Sequence, residues 1–203
     1  MEQLQITARI KGPLIRGNGQ LTLDALLAAQ VYETTGDLDA AHNKLPIKQT
    51  SGLYWASRAL IEGPVQRRAI VQSLRPDNVW LDERWLKKNK HGSVHTKFSN
   101  LSDNILNSYA EVLATSITWY CTGDSQGVSN LLQGITHIGK KRSALVTDWQ
   151  VEEGPLDGLH GYDDEPLRPV PIEMWDGDKS VPIVDATWRP AYFDMNNAQA
   201  CYQ

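Results

Sequence analysis

Residues 4–11, "LQITARIK", alternate between apolar and polar side chains along their whole length. A β-strand sends successive side chains to opposite faces, so Leu4, Ile6, Ala8 and Ile10 point one way. Gln5, Thr7, Arg9 and Lys11 point the other. Such a strand needs a sheet with one covered face, and its open face ends in two cations. A cover is encoded directly afterwards. In "TLDALLAAQVYETTG", Leu23, Leu26, Leu27 and Val31 fall at i, i+3, i+4 and i+8, the spacing of an amphipathic helix. Thr22 is its expected N-cap and Gly36 its expected stop.

The same grammar returns after residue 104. "NSYAEVLATSITWYCTG" is β-branched and aromatic in its second half, and places Ile117, Trp119 and Cys121 on one face of a strand ending near Gly123. "SQGVSNLLQG" reads as a short helix capped by Ser125 and closed by Gly134. "SALVTDWQV" reads as another strand, with Leu145, Trp149 and Val151 on one side. Between the halves, "VQRRAIVQSL" suits a strand, and "NVWLDERWLKKNKHGSVHTKFSN" a protruding hairpin or long loop. The order predicts an α+β domain of the βαββαβ, ferredoxin-like kind with a large central insertion at about 65–100. Residues 1–203 read as a single domain whose segment from about 152 to 203 wraps it in loops and short edge strands. That segment holds six of the ten prolines.

Charge is distributed unevenly. Net charge is −4, yet residues 1–147 carry 17 Lys/Arg against 12 Asp/Glu, and residues 148–203 carry 3 against 12. A balance of +5 followed by −9 predicts a basic working surface and an acidic segment facing solvent or a basic partner. No apolar run reaches the roughly 18 residues of a membrane helix, and "MEQLQITARI" lacks a signal peptide's basic and apolar regions. The expectation is a cytoplasmic protein without membrane contact. Cys121 and Cys201 have no zinc-type spacing.

Gly134 to Lys140 spell G-x-x-x-x-G-K, yet the hydroxyl residue that would bind magnesium is replaced by Lys141. A helix also precedes this loop and a strand follows it, the reverse of a nucleotide-hydrolase loop. What remains is Gly139 followed by Lys140, Lys141 and Arg142. Adjacent cations repel one another unless they are solvated or meet an anion. Lys and Arg neutralise phosphates, which makes a nucleic-acid backbone one candidate and a solvated loop the other. A second candidate surface is Trp80 and Trp85, which suit base stacking, with Arg84, Lys87, Lys88 and Lys90 to follow phosphates. Arg67 and Arg68 add charge just upstream. His91 and His95 sit at H-x3-H without a further ligand pair, so no metal site is expected. Either imidazole suits general acid–base work, which leaves a metal-independent endoribonuclease as the alternative to a binding role.

"WYCTGD", "LLQGITHIGKKRSALVTDWQV", "RPVP" and "VDATWRPAYFD" resemble the small RAMP-type subunit of type IV CRISPR effector complexes, a Cas-five-like family. The turn "IGKKR", Ile138 to Arg142, stands where that family has its glycine-rich loop. Family loops continue with further glycines; here Ser143, Ala144, Leu145 and Val146 follow, which leaves binding to the side chains. The resemblance implies an RRM-related RAMP fold with a thumb-like hairpin near residues 65–100 and no catalytic role or cofactor. It implies binding of the 5′ handle of a guide RNA and capping of a filament of Cas-seven-like backbone subunits. The large subunit of the complex is a further implied partner, with target DNA met through the assembly.

Overall fold

A computed structural model describes residues 1–15, 20–73, 104–192 and 194–203. The chain divides into two compact units, Met1–Val65 with Val112–Gln203, and Gln66–Glu111. The first unit contains β1 (Glu2–Lys11), β2 (Leu14–Ile15), α1 (Leu23–Thr35), α2 (Leu38–Asn43), β3 (Gln49–Thr50) and β4 (Leu53–Tyr54). The second is built on β5 (Val65–Ser73) and β6 (Asn104–Val112), hydrogen-bonded neighbours in one sheet. The first unit resumes with β7 (Ser116–Gly123), α3 (Ser125–Leu132), β8 (His137–Ile138), β9 (Ala144–Glu153), β10 (Val170–Pro171), β11 (Ile183–Thr187) and β12 (Ala198–Tyr202).

The main sheet has the order β7-β1-β9-β8, and every pairing in it is antiparallel. Residues 47–60 add antiparallel bridges to β7 at Ile47, Ala56 and Leu60. The architecture is therefore α+β with antiparallel sheets and few helices, an order compatible with a ferredoxin-like fold. Alternation in β1 works as its sequence dictates. Leu4, Ile6, Ala8 and Ile10 join a core with Leu23, Leu27 and Val31 of α1, Ile117, Trp119 and Cys121 of β7, and Val128 and Leu132 of α3. Each fully buried aliphatic side chain contributes about 1.5–3 kcal/mol. Trp119 donates its indole N–H to the Leu21 carbonyl at 3.0 Å, which lets a large aromatic sit at full burial.

Thr22 occupies the N-cap of α1 with extended backbone, as expected, although its side chain makes no capping bond. Two local expectations need correction. Asp124, rather than Ser125, caps α3, its carboxylate accepting from the Gly127 N–H at 2.9 Å. Leu145 does not share a side with Trp149 and Val151. The β1–β9 register slips between Arg9 and Ile10, where Leu145 faces Lys11 and Trp149 faces Ala8. One extra residue in a bulge reverses the alternation beyond it, so Leu145 is left exposed. By contrast, Gly36 ends α1 in the left-handed conformation, with its N–H on the Tyr32 carbonyl.

The acidic, Pro-rich C-terminal part folds into a three-stranded sheet, β10-β12-β11. It has its own core of Leu53, Leu159, Val170, Trp175, Trp188, Cys201 and Tyr202. Arg168 joins this layer to α1. Its guanidinium is wholly buried and donates to the Asp24 carboxylate at 3.1 Å and to the carbonyls of Tyr54, Ala56 and Trp188. It also donates to the Tyr192 hydroxyl at 2.5 Å, and that hydroxyl in turn donates to Asp24. Burial works against the charge on Arg168, and the Asp24 carboxylate more than restores it.

Candidate functional site

Gly139 to Arg142 close a hairpin between β8 and β9, in which His137 faces Leu145 and Ile138 faces Ala144. The expected helix-to-strand turn is thus a strand-to-strand turn, because β8 forms between α3 and the loop. Residues Lys140–Arg142 make one tight 3-10 turn, with the Arg142 N–H on the Gly139 carbonyl at 3.1 Å.

Gly139 has φ +84°, and a Cβ there would lie 2.7 Å from Leu14 Cδ1 and 2.9 Å from Ser143 Oγ. Only glycine fits. Lys141 and Arg142 also hold positive φ, at 61° and 52°. For residues with a Cβ this conformation costs about 1–2 kcal/mol each. It is held by the frame around it. The Ile15 N–H donates to Ser143 Oγ at 2.8 Å. The chain therefore achieves glycine-type backbone where its sequence supplies cations. Non-glycine residues kept in this region cluster at binding sites, where the surrounding structure offsets their strain.

The side chains of Lys140, Lys141 and Arg142 are all exposed. Arg142 forms an ion pair with Glu33 of α1, both partners being mostly solvent-exposed. Exposed pairs of this kind contribute about 0–1 kcal/mol, so Glu33 holds Arg142 only weakly. Lys11 lies at the same end of the sheet, since it and His137 face Leu145 from opposite sides. Arg9 stands further along the same face, 4.0 Å from Asp148. The structure thus brings Lys11 to the cationic turn and gives Arg9 a carboxylate neighbour.

Arg67 and Arg68 lie on β5 of the second unit. There the buried Glu111 carboxylate accepts from Gln66 Nε2 at 3.1 Å and Arg68 Nη1 at 3.2 Å. Arg68 is therefore tethered, although both arginines are exposed. Trp80, Arg84, Trp85, Lys87, Lys88, Lys90, His91 and His95, with most of the expected hairpin, lie outside the described residues. Among the described residues, no three His, Cys, Asp or Glu side chains converge as a metal site. No helix among them is long and apolar enough to cross a membrane.

Sequence reasoning missed three features. Glu33 and its pairing to Arg142 carried no signal beyond an acid on a helix. Arg58 and His137 line a cavity beside the turn. His160 links two carboxylates, Asp157 Oδ2 at 2.8 Å and Asp176 Oδ1 at 2.9 Å, and stacks on Trp175 at 4.7 Å. Burial alone would lower its pKa; the two carboxylates outweigh that and raise it. Both thiols are buried. Burial, with the Asp24 charge adding to it, pushes Cys121 up to about 12. Compared with known proteins, the chain matches no family model and no curated protein.

Proposed function

We propose that the protein is a non-catalytic, RNA-binding subunit of a ribonucleoprotein complex, of the Cas-five-like RAMP kind found in type IV CRISPR effectors. One observation carries the reading. A turn with three successive cations holds glycine-type backbone at two non-glycine positions, at the end of an antiparallel α+β sheet. Such a turn offers phosphates both charge and close approach to the main chain. In this reading Lys140, Lys141 and Arg142 grip the backbone of a guide RNA near its 5′ handle, and Lys11 extends the track along β1. The ferredoxin-like assignment belongs to the same proposal, with residues 56–60 taking the place of an edge strand beside β7. The acidic C-terminal sheet then faces the neighbouring backbone and large subunits, and target DNA is reached through the assembly.

Purification of the tagged full chain from its native host tests this. The expected result is co-purification of small RNA of discrete length together with backbone subunits. Purification free of RNA, under low salt, would remove the reading. Incubation with repeat RNA in EDTA is expected to leave the RNA intact; a specific cleavage product would establish the endoribonuclease alternative instead.

A further inference from the structure

An open cavity of about 360 Å³ lies between α1 and the β8–β9 hairpin. Its walls are apolar, with Leu14, Leu21, Leu26, Ile61 and Ile138 among them. The α1 side is low because Ala25 and Ala29, one helical turn apart, present only methyl groups. Its charged lining is of one sign. Arg58 and Lys140 are there, with the imidazole of His137, and no Asp or Glu lines it among the described residues. A second cavity of about 150 Å³ shares Leu26, Ala29 and His137 with the first and continues to Arg142 and Glu33. The two cavities thus adjoin along Leu26, Ala29 and His137, with Lys140 lining the first and Arg142 the second.

An occupant must therefore be flat or apolar in one part and anionic in the adjoining part. The volume falls in the range of single small-ligand sites. A nucleotide joins these two chemistries in one unit, and its base carries a π-face that packs on aliphatic and imidazole surfaces. We infer that the cavity takes one unstacked base of a single-stranded RNA, while the adjoining phosphates lie along Lys140 and Lys141. The inference rests on the RNA-binding reading above and adds a base pocket to what would otherwise be a purely electrostatic grip.

Filling the cavity separates the two ideas, because it leaves every cation in place. The probe is a short oligouridylate carrying one 2-aminopurine, whose emission reports burial of that base. With the wild-type full chain, binding is expected to change the emission saturably. Ala25→Phe is expected to weaken binding about tenfold and abolish the emission change, with the salt dependence of affinity unaltered. Ala29→Phe, at a more exposed position on the same wall, serves as a second filled variant if Ala25→Phe melts early. If both folded variants bind and change emission as wild type does, the base pocket is refuted while the cationic grip stands. If the wild type binds no RNA, the functional reading falls and the pocket falls with it.

Discussion

Replacing Asp24 with Asn should cost this protein a large part of its stability. The carboxylate and the Arg168 guanidinium are both fully buried, with Nη1 to Oδ1 at 3.1 Å and Nη2 to Oδ2 at 3.5 Å. At an effective dielectric near 20, unit charges about 3–3.5 Å apart attract by about 5 kcal/mol. Breaking a buried pair from one side costs about 3–5 kcal/mol, because the remaining charge stays buried without compensation. Asn keeps the shape but turns one of the two acceptors into a donor facing Arg168 or Tyr192, so the change removes the charge together with the hydrogen bonds at that oxygen. Against a total of about 5–15 kcal/mol, the loss should lower the melting temperature by about 6–20 °C. Urea unfolding followed by tryptophan fluorescence measures it directly, since Trp119 and Trp188 sit in the two cores. A buried pair is little screened, so the loss should be alike at low and high salt. A loss below about 1 kcal/mol would refute the reasoning and mean that the pair is hydrated.

Two other outcomes follow from local geometry. Lys141→Gly and Lys141→Val both remove the ammonium, but only glycine is at ease at φ 61°. The Val variant should therefore unfold at least about 1 kcal/mol more easily than the Gly variant; equal urea midpoints would show that the left-handed turn is not held. His160, raised above its ordinary 6.5 by Asp157 and Asp176, contributes stability that is complete below that value. The contribution is lost as pH rises through the higher folded value. Asp176 is lowered from 3.8 by the same bond, so its share disappears in acid. Melting curves from pH 5.5 to 8.5 should fall more steeply for wild type than for His160→Gln, and parallel curves would contradict the linkage.

Much of the first unit was legible in the sequence because its signals are local. Alternation in β1, the i, i+4 and i+8 pattern of α1 and the glycine stop at Gly36 each need only a few neighbouring residues. Leu145 was misplaced because a bulge depends on register with β1, which no single strand reveals. The Arg168–Asp24 pair was half visible. Asp24 shares the i, i+3, i+4 and i+7 stripe with Leu27, Ala28 and Val31, all buried, and an acid on that stripe demands a buried cation. Which cation is a matter of tertiary packing, since Arg168 lies 144 positions away. The cationic turn could be read as charge but not as conformation. Its left-handed backbone comes from Ser143, Ile15 and Leu14 framing it, contacts set by the fold rather than by the turn's own residues.

The most direct measurement is the affinity for a short single-stranded oligouridylate across a potassium chloride series. It should be made for the wild type and for Lys140→Ala/Lys141→Ala/Arg142→Ala. Each phosphate contact adds about 0.7 to the slope of log K against log salt for a single strand. Three lost contacts should therefore flatten the slope by about 2 and weaken binding most strongly at low salt. Identical slopes and affinities for the two proteins would show that the turn is a solvated loop and contradict the account.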